Sequence, residues 1–210
     1  MNRSNYTEKM RVLIIGAGGT IGKKLTPRLR KNHDVITAGR SSGDVNVDIS
    51  SQESIKRMFD KLPKVDACIC IAASGPMDDF ATITEDQLKT DMQAKLFGQI
   101  NLVLIGQHYL NDNGCFTLTS GVFADVPYKG VTGGALTSGA LHSFTLSASV
   151  QLPRNLRINV VSPGMAEDSA AAYAQNFPGL AVVPMESITD AYELTVEQEI
   201  NGQILRIYQR

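Results

Sequence analysis

The chain has 210 residues and carries 20 Lys and Arg against 21 Asp and Glu, a net charge of −1. One domain of that length buries a sizeable core. The near-balance of charge gives no reason to expect nucleic acid or an anionic membrane as a partner. With no long uncharged apolar run and no signal-peptide core, the expectation is a soluble, cytoplasmic protein.

Residues 1–9 are polar and read as a loose extension, leaving 10–210 as the domain. Short β-branched apolar runs at 11–15 and 35–38 predict strands, with a weaker one at 45–47. Between the first two, 20–31 has helical periodicity, interrupted by Pro27. Ser50 with Glu53 reads as a capping box opening a helix over 51–61. The run 65–73 is apolar almost throughout, as expected of a strand covered on both faces. Thr84 with Gln87 makes a second capping box, before a long helix to about 107. Strands at 115–119, 157–161 and 203–208, and helices at 135–152 and 188–198, complete the pattern.

Alternating β and α units predict an α/β fold, a single doubly wound parallel sheet of about seven strands with helices on both faces. In such sheets the ligand sits at the carboxyl ends of the strands, near the point where strand order reverses. The candidate site is therefore in the loops after residues 15, 38, 73, 119 and 161.

The first of those loops carries chemistry. Gly16-Ala17-Gly18-Gly19-Thr20-Ile21-Gly22 follows the first strand directly and opens the first helix. Glycine allows positive φ and close backbone approach, and the helix N-terminus offers unpaired N–H groups to phosphate. In this strand–turn–helix context the pattern predicts a Rossmann-type dinucleotide site. An acid at the end of the second strand would bond the adenosine ribose 2′-hydroxyl of NAD. Gly39-Arg40-Ser41-Ser42 stands there instead, and an arginine with hydroxyl donors suits a 2′-phosphate. The cofactor expected is NADP(H).

Cys68 and Cys70 alternate on the apolar run and lack nearby ligand partners, so they read as small core residues, and no metal is expected. His33, His108 and His142 lie far apart, and His142 falls on a helix where packing or a surface role is expected.

These motifs resemble the short-chain dehydrogenase/reductase superfamily from Arg11 almost to the C-terminus. Gly16, Gly19 and Gly22 match its G-x-x-G-x-x-G variant. The resemblance implies that Asp48-Ile49 holds the adenine end. Gly75 would close a loop in which Ala72 and Ala73 replace the family's two asparagines. Ser120, in Leu118-Thr119-Ser120-Gly121, would be the catalytic serine. Ser162-Pro163-Gly164 would border the nicotinamide, and the alanine-rich segment beyond it, with Phe177, Pro178 and Met185, would line a small apolar substrate. Helices 85–107 and 135–152 would pair copies into a homodimer or homotetramer.

The family's remaining catalytic groups are missing. Gly134 and Ser138 occupy the Tyr-x-x-x-Lys positions, and Lys95 replaces the helix-borne asparagine. Two readings stay open. In one the chain is an oxidoreductase acting on a small carbonyl or alcohol, with Ser120 helped by Lys95 and by Tyr128, eight residues past it. In the other it binds NADP(H) without turnover, as a redox sensor or regulatory protein.

Overall fold

The computed structural model describes residues 9–71, 75 and 77–208. Most of the expected extension, residues 1–8, lies outside them, as do Ala72 and Ala73.

In chain order the elements are β1 (Arg11–Ile15), α1 (Thr20–Leu29), β2 (Asp34–Gly39), β3 (Val45–Asn46), α2 (Gln52–Asp60) and β4 (Val65–Cys70). A helix in three pieces follows: α3 (Glu85–Met92), a π-helical turn (Gln93–Gly98) and α4 (Gln99–Gly106). Then come β5 (Leu110–Thr119), α5 (Thr132–Ser149), β6 (Arg157–Pro163), β7 (Met165–Ala166), α6 (Glu167–Tyr173), β8 (Val182–Val183), α7 (Met185–Glu197) and β9 (Ile204–Ile207).

Seven strands form one sheet in the order β3-β2-β1-β4-β5-β6-β9, and every pairing is parallel. Strand order reverses between β1 and β4, which opens a crevice above their carboxyl ends. Period-two alternation divides the strands between two cores. Leu13, Ile15, Cys68, Cys70, Phe116 and Leu118 pack with residues of α2, α4 and α5. Val12, Ile14, Ala67, Ile69, Cys115 and Val161 face the other way, with Leu25 of α1 and Ile188 and Tyr192 of α7. The three cysteines are buried, and burial pushes the Cys115 thiol up to about 11.

Several boundaries differ from the sequence expectation. The cap of α2 is Ser51, whose hydroxyl accepts from the Ser54 N–H at 3.2 Å. Ser50 instead donates to Asp48 Oδ1 at 2.7 Å. Helix α1 runs through Pro27 and ends at Leu29, where tighter bonds from Lys31 and Asn32 close the last turn. Helices α5 and α7 each begin three residues earlier than expected, at Thr132 and Met185. Strand β5 begins at Leu110, before a polar stretch in which Asn113 takes φ 63°. Met185, expected in a substrate lining, is buried in the core between α1 and α7. The two-stranded β7–β8 ladder was not anticipated. No helix among the described residues is long and apolar enough to cross a membrane.

Candidate active site

The cofactor end of the crevice is built from backbone. Gly16 takes φ 90°, a left-handed conformation that glycine adopts without strain. It accepts the Gly19 N–H at 3.1 Å, closing the turn. At Gly22 a Cβ would lie 2.3 Å from the Gly16 carbonyl oxygen and 2.6 Å from Ala17 Cα, so α1 docks against the turn only as glycine. Gly19 caps α1 with no side-chain hydrogen bond, and Gly18, Gly19 and Thr20 are exposed. The first N–H groups of α1, with Ile21 behind them, therefore face an open cradle. A Cβ at Gly18 would stand 3.2 Å from Ser42 Oγ across that cradle.

The loop after β2 forms the wall. Thr37 and Asp44 lock it, the Thr37 N–H and Oγ1 donating to Asp44 Oδ2 at 2.9 and 2.8 Å. Those bonds from Thr37 hold the Asp44 carboxyl below its ordinary value. Arg40 and Ser41 are exposed on the loop. Between this loop and α1 lies a cavity of about 310 Å³ whose lining includes Gly18, Lys23, Thr26, Arg30 and Ser42. Ser42, not Ser41, faces the glycine turn, and Lys23 and Arg30 add positive charge that the sequence reading had not assigned. Asp48 accepts from the Ser50 hydroxyl and N–H, and these bonds, with the charge of Arg40 behind them, lower its pKa. Ile49 is buried, and its carbonyl oxygen lies 2.8 Å from where a Cβ of Gly98 would stand, so the π turn rests on the loop after β3.

The chemical end is built from side chains. Ser120 follows β5, with its N–H on the Val161 carbonyl at 2.9 Å. Gln99, fully buried, accepts the Thr119 N–H and donates to the Thr119 carbonyl, both at 2.8 Å. The same Nε2 donates to the Lys95 carbonyl at 2.8 Å. One amide thus ties the π turn bearing Lys95 to the residue before Ser120. Burial holds the Lys95 ammonium below the ordinary lysine range.

Helix α5 brings in a residue the sequence reading gave no chemical role. His142 Nε2 lies 2.8 Å from Ser120 Oγ, and both residues are buried. Burial is the main cause lowering the His142 pKa; Arg206 adds to it and Asp125 opposes it. Ser138, one turn earlier, is fully buried beside Gly121, and its hydroxyl has no partner among the described residues.

Tyr128 is not on Ser120. Its hydroxyl donates to the Pro178 carbonyl at 3.4 Å, and its ring meets Phe123 and Phe177 edge-on. This cluster adjoins a cavity of about 210 Å³ lined by Phe123, Ala124, Asp125, Pro127, Tyr128, Val131, Thr132 and Ala135. Gly164 packs against β9, its N–H on the Ile207 carbonyl at 3.0 Å. Pro163 ends β6 just before it. Gly75 stands in open space. Ala73 lies outside the described residues.

Known proteins share this architecture. The family model described as Enoyl-(Acyl carrier protein) reductase matches residues 9–198. The crystal structure of the protein lin1944 from Listeria innocua is 40% identical, with a TM-score of 0.93 over 95% of this chain and 100% of that one. A small-chain dehydrogenase solved in complex with NADPH is 23% identical, with a TM-score of 0.84 over 96% of this chain and 97% of that one. A short chain dehydrogenase from Burkholderia cenocepacia J2315, solved in complex with NADP, is 18% identical, with a TM-score of 0.82 over 97% and 98%. No curated protein matches the chain significantly. With a family model spanning nearly its whole length and a glycine turn, strand order and serine strand of the same plan, the chain belongs to the short-chain dehydrogenase/reductase superfamily.

Proposed function

We propose that the protein is an NADP(H)-dependent oxidoreductase that exchanges a hydride with a small carbonyl or alcohol. The observation that carries this reading is the cradle at Gly16–Gly22. It has an uncapped helix N-terminus, exposed backbone, and a packing contact at Gly22 that any Cβ would break. Such a cradle suits a pyrophosphate. Arg40 and Ser42, with Lys23 and Arg30 in the adjoining cavity, suit the 2′-phosphate that distinguishes NADP(H) from NAD(H). Ser41 is an exposed further donor. Asp48 and Ile49 flank the adenine position, and Gly75, Pro163 and Gly164 border the nicotinamide position. Two relatives of the same fold were solved with NADPH or NADP.

When bound, the cofactor supplies or accepts the hydride. The rest falls to the chain. Ser120 would hydrogen-bond the reacting oxygen, and Lys95, whose pKa burial lowers, is carried on the turn that Gln99 ties to the same strand end. Tyr128 serves as a wall of the substrate cavity. Among the described residues Asp125 is the one charged residue lining that cavity, and the rest of the lining is mostly apolar, which favours an uncharged substrate over an anion. Copies pair through the helices of the α4 and α5 side, where Leu104, Leu136 and Leu146 are exposed.

The alternative, an NADP(H) sensor without turnover, draws on Gly134 and Ser138 at the Tyr-x-x-x-Lys positions. Titration with NADPH and NADH, followed by a carbonyl and alcohol panel on the same protein, separates the two. Tight NADPH binding with turnover supports the oxidoreductase. Binding with no turnover across the panel supports the sensor, and no binding removes both.

A further inference from the structure

We propose that Ser120 and His142 form a proton relay that replaces the missing tyrosine, with His142 exchanging the reaction's proton through the Ser120 hydroxyl. This relay presupposes the NADP(H) reading above.

The juxtaposition follows from helical spacing. Residues 134, 138 and 142 stand four apart and share one face of α5, the face turned to the end of β5. At 134 a glycine leaves that face bare, with the nearest neighbours of its would-be Cβ at 3.9 and 4.0 Å. At 138 a serine packs beside Gly121. The first titratable group on the face is His142, and its Nε2 meets Ser120 Oγ at 2.8 Å. Ser120 in turn sits where a parallel sheet presents its ligand site, after the carboxyl end of a central strand. A serine alone is a poor proton carrier at neutral pH, and a neutral imidazole on its hydroxyl is the usual remedy.

The charges around His142 bear on its resting protonation state. Asp125 comes from the loop after β5; Arg206 and Tyr208, from β9 and the residue after it, both donate to Asp125 Oδ2 at 2.5 Å. Lys95 lies on the π turn packed against α5. Helix α5 has no other titratable residue, and Asp78 and, from α3, Asp91 reach only its first turn, at Gly133. Strand β6, beneath the helix, contributes only Arg157, at its start. Arg206 and burial favour the neutral ring over the effect of Asp125. A neutral His142 carrying its proton on Nδ1 accepts from the Ser120 O–H at Nε2, the arrangement needed for alcohol oxidation.

In that direction the substrate O–H proton passes to Ser120 Oγ as the Ser120 proton passes to His142 Nε2. The C–H electron pair leaves as hydride to NADP⁺, the C=O bond forms, and imidazolium His142 returns its proton to solvent. Carbonyl reduction is the reverse and starts from protonated His142. Oxidation therefore rises with pH through the His142 pKa and then levels, whereas reduction falls through the same point.

The test begins without cofactor. NMR of protein labelled in the histidine ring should show His142 titrating below the ordinary histidine value, and Ser120→Ala should move its Nε2 resonance and its midpoint. With NADP⁺ saturating, the kcat/KM profile for alcohol oxidation should break at the midpoint that NMR gives for the NADP⁺-bound protein. His142→Gln keeps a polar side chain but cannot titrate. It should cut kcat by about 10²–10⁴, abolish the break, and leave the NADPH Kd within about threefold. His142→Gln retaining kcat within about threefold, or keeping the break, overturns the relay while NADP(H) binding stands. A wild type that binds NADPH and turns over nothing also overturns it. A wild type that does not bind NADPH overturns the cofactor reading and the relay together. Should His142→Gln fail to fold, the wild-type profile and the Ser120→Ala spectra decide: a break away from the NMR midpoint, or an unmoved Nε2 resonance, overturns the relay.

Discussion

Replacing Gly22 by alanine should weaken both the fold and NADPH binding, because one methyl group would sit inside another part of the backbone. Its Cβ would stand 2.3 Å from the Gly16 carbonyl oxygen and 2.6 and 2.7 Å from Ala17 Cα and C. Those atoms are main chain, so no side chain can rotate away, and α1 must move off the turn by roughly 1 Å to restore contact distance. Overpacking of that kind costs about 1–3 kcal/mol. For a chain of this size that lowers Tm by about 2–12 °C. The displaced helix carries the N–H groups proposed to receive the pyrophosphate, so NADPH affinity should fall by at least about tenfold, or 1.4 kcal/mol. Gly139→Ala is the matched control. It lies within α5 with nothing inside 4 Å of its would-be Cβ, and removing a helical glycine should raise stability by about 0.5–1 kcal/mol. Differential scanning calorimetry and isothermal titration of both variants read the outcome. A Gly22→Ala protein with wild-type Tm and wild-type NADPH affinity would refute the packing account of the turn.

Arg40→Ala should weaken NADPH by about 10- to 100-fold and leave NADH almost untouched; equal losses measured for both cofactors would remove the 2′-phosphate assignment. Ser120→Ala should lower kcat by about 10²–10³ at constant NADPH Kd, the usual loss of a donor acting on developing charge, and an unchanged kcat would exclude the serine from the chemistry. Asp44 is held below its ordinary carboxylate pKa of 3.8, first by the Thr37 N–H and then by the Thr37 hydroxyl. Its contribution is fully present above pH 3.8 and fades as pH falls towards its folded value. Urea midpoints measured down through that range should therefore fall less steeply for Asp44→Asn than for wild type, and parallel curves would count against the loop lock.

The parts legible in the sequence were those whose structure depends on neighbours in the chain. Gly16 to Gly22 fold into a phosphate turn because a buried strand precedes them and a helix follows, and both flanks can be read from periodicity. The cap of α2 was misplaced by one residue because Ser50 and Ser51 are equally good cap residues. What decides between them is the bond from Ser50 to Asp48, a contact on the other side of the helix start. The π turn has no pattern of its own. It shows in the sequence only as Gly98, a small residue whose reason is the Ile49 carbonyl in another loop. Strands β7 and β8 are two residues each, too short for alternation to register. The contact of His142 with Ser120 was not foreseen for a similar reason. A histidine on a mostly apolar helix is ordinary until the helix is docked, and only the docking puts its ring on Ser120. The available signal was its spacing of eight residues from Gly134.

The two halves of the crevice therefore tolerate change differently. The cofactor half consists of backbone, and its geometry is fixed by Gly16, Gly22 and the uncapped end of α1. A substitution there disturbs the fold itself, so the half persists wherever the fold does. The chemical half is a set of side chains hung on a frame that stands without them. Gln99 holds the Thr119 strand end through both its backbone groups whatever occupies position 134. With glycine at 134, α5 still packs beside Gly121, and Ser138 is buried too deeply for a charged side chain to stand there unpaired. Once the lysine position is sealed against solvent, a tyrosine at 134 has nothing to lower its pKa. In the proposed relay the proton is handled by a group that works when buried and neutral, and on this face of α5 that group is His142.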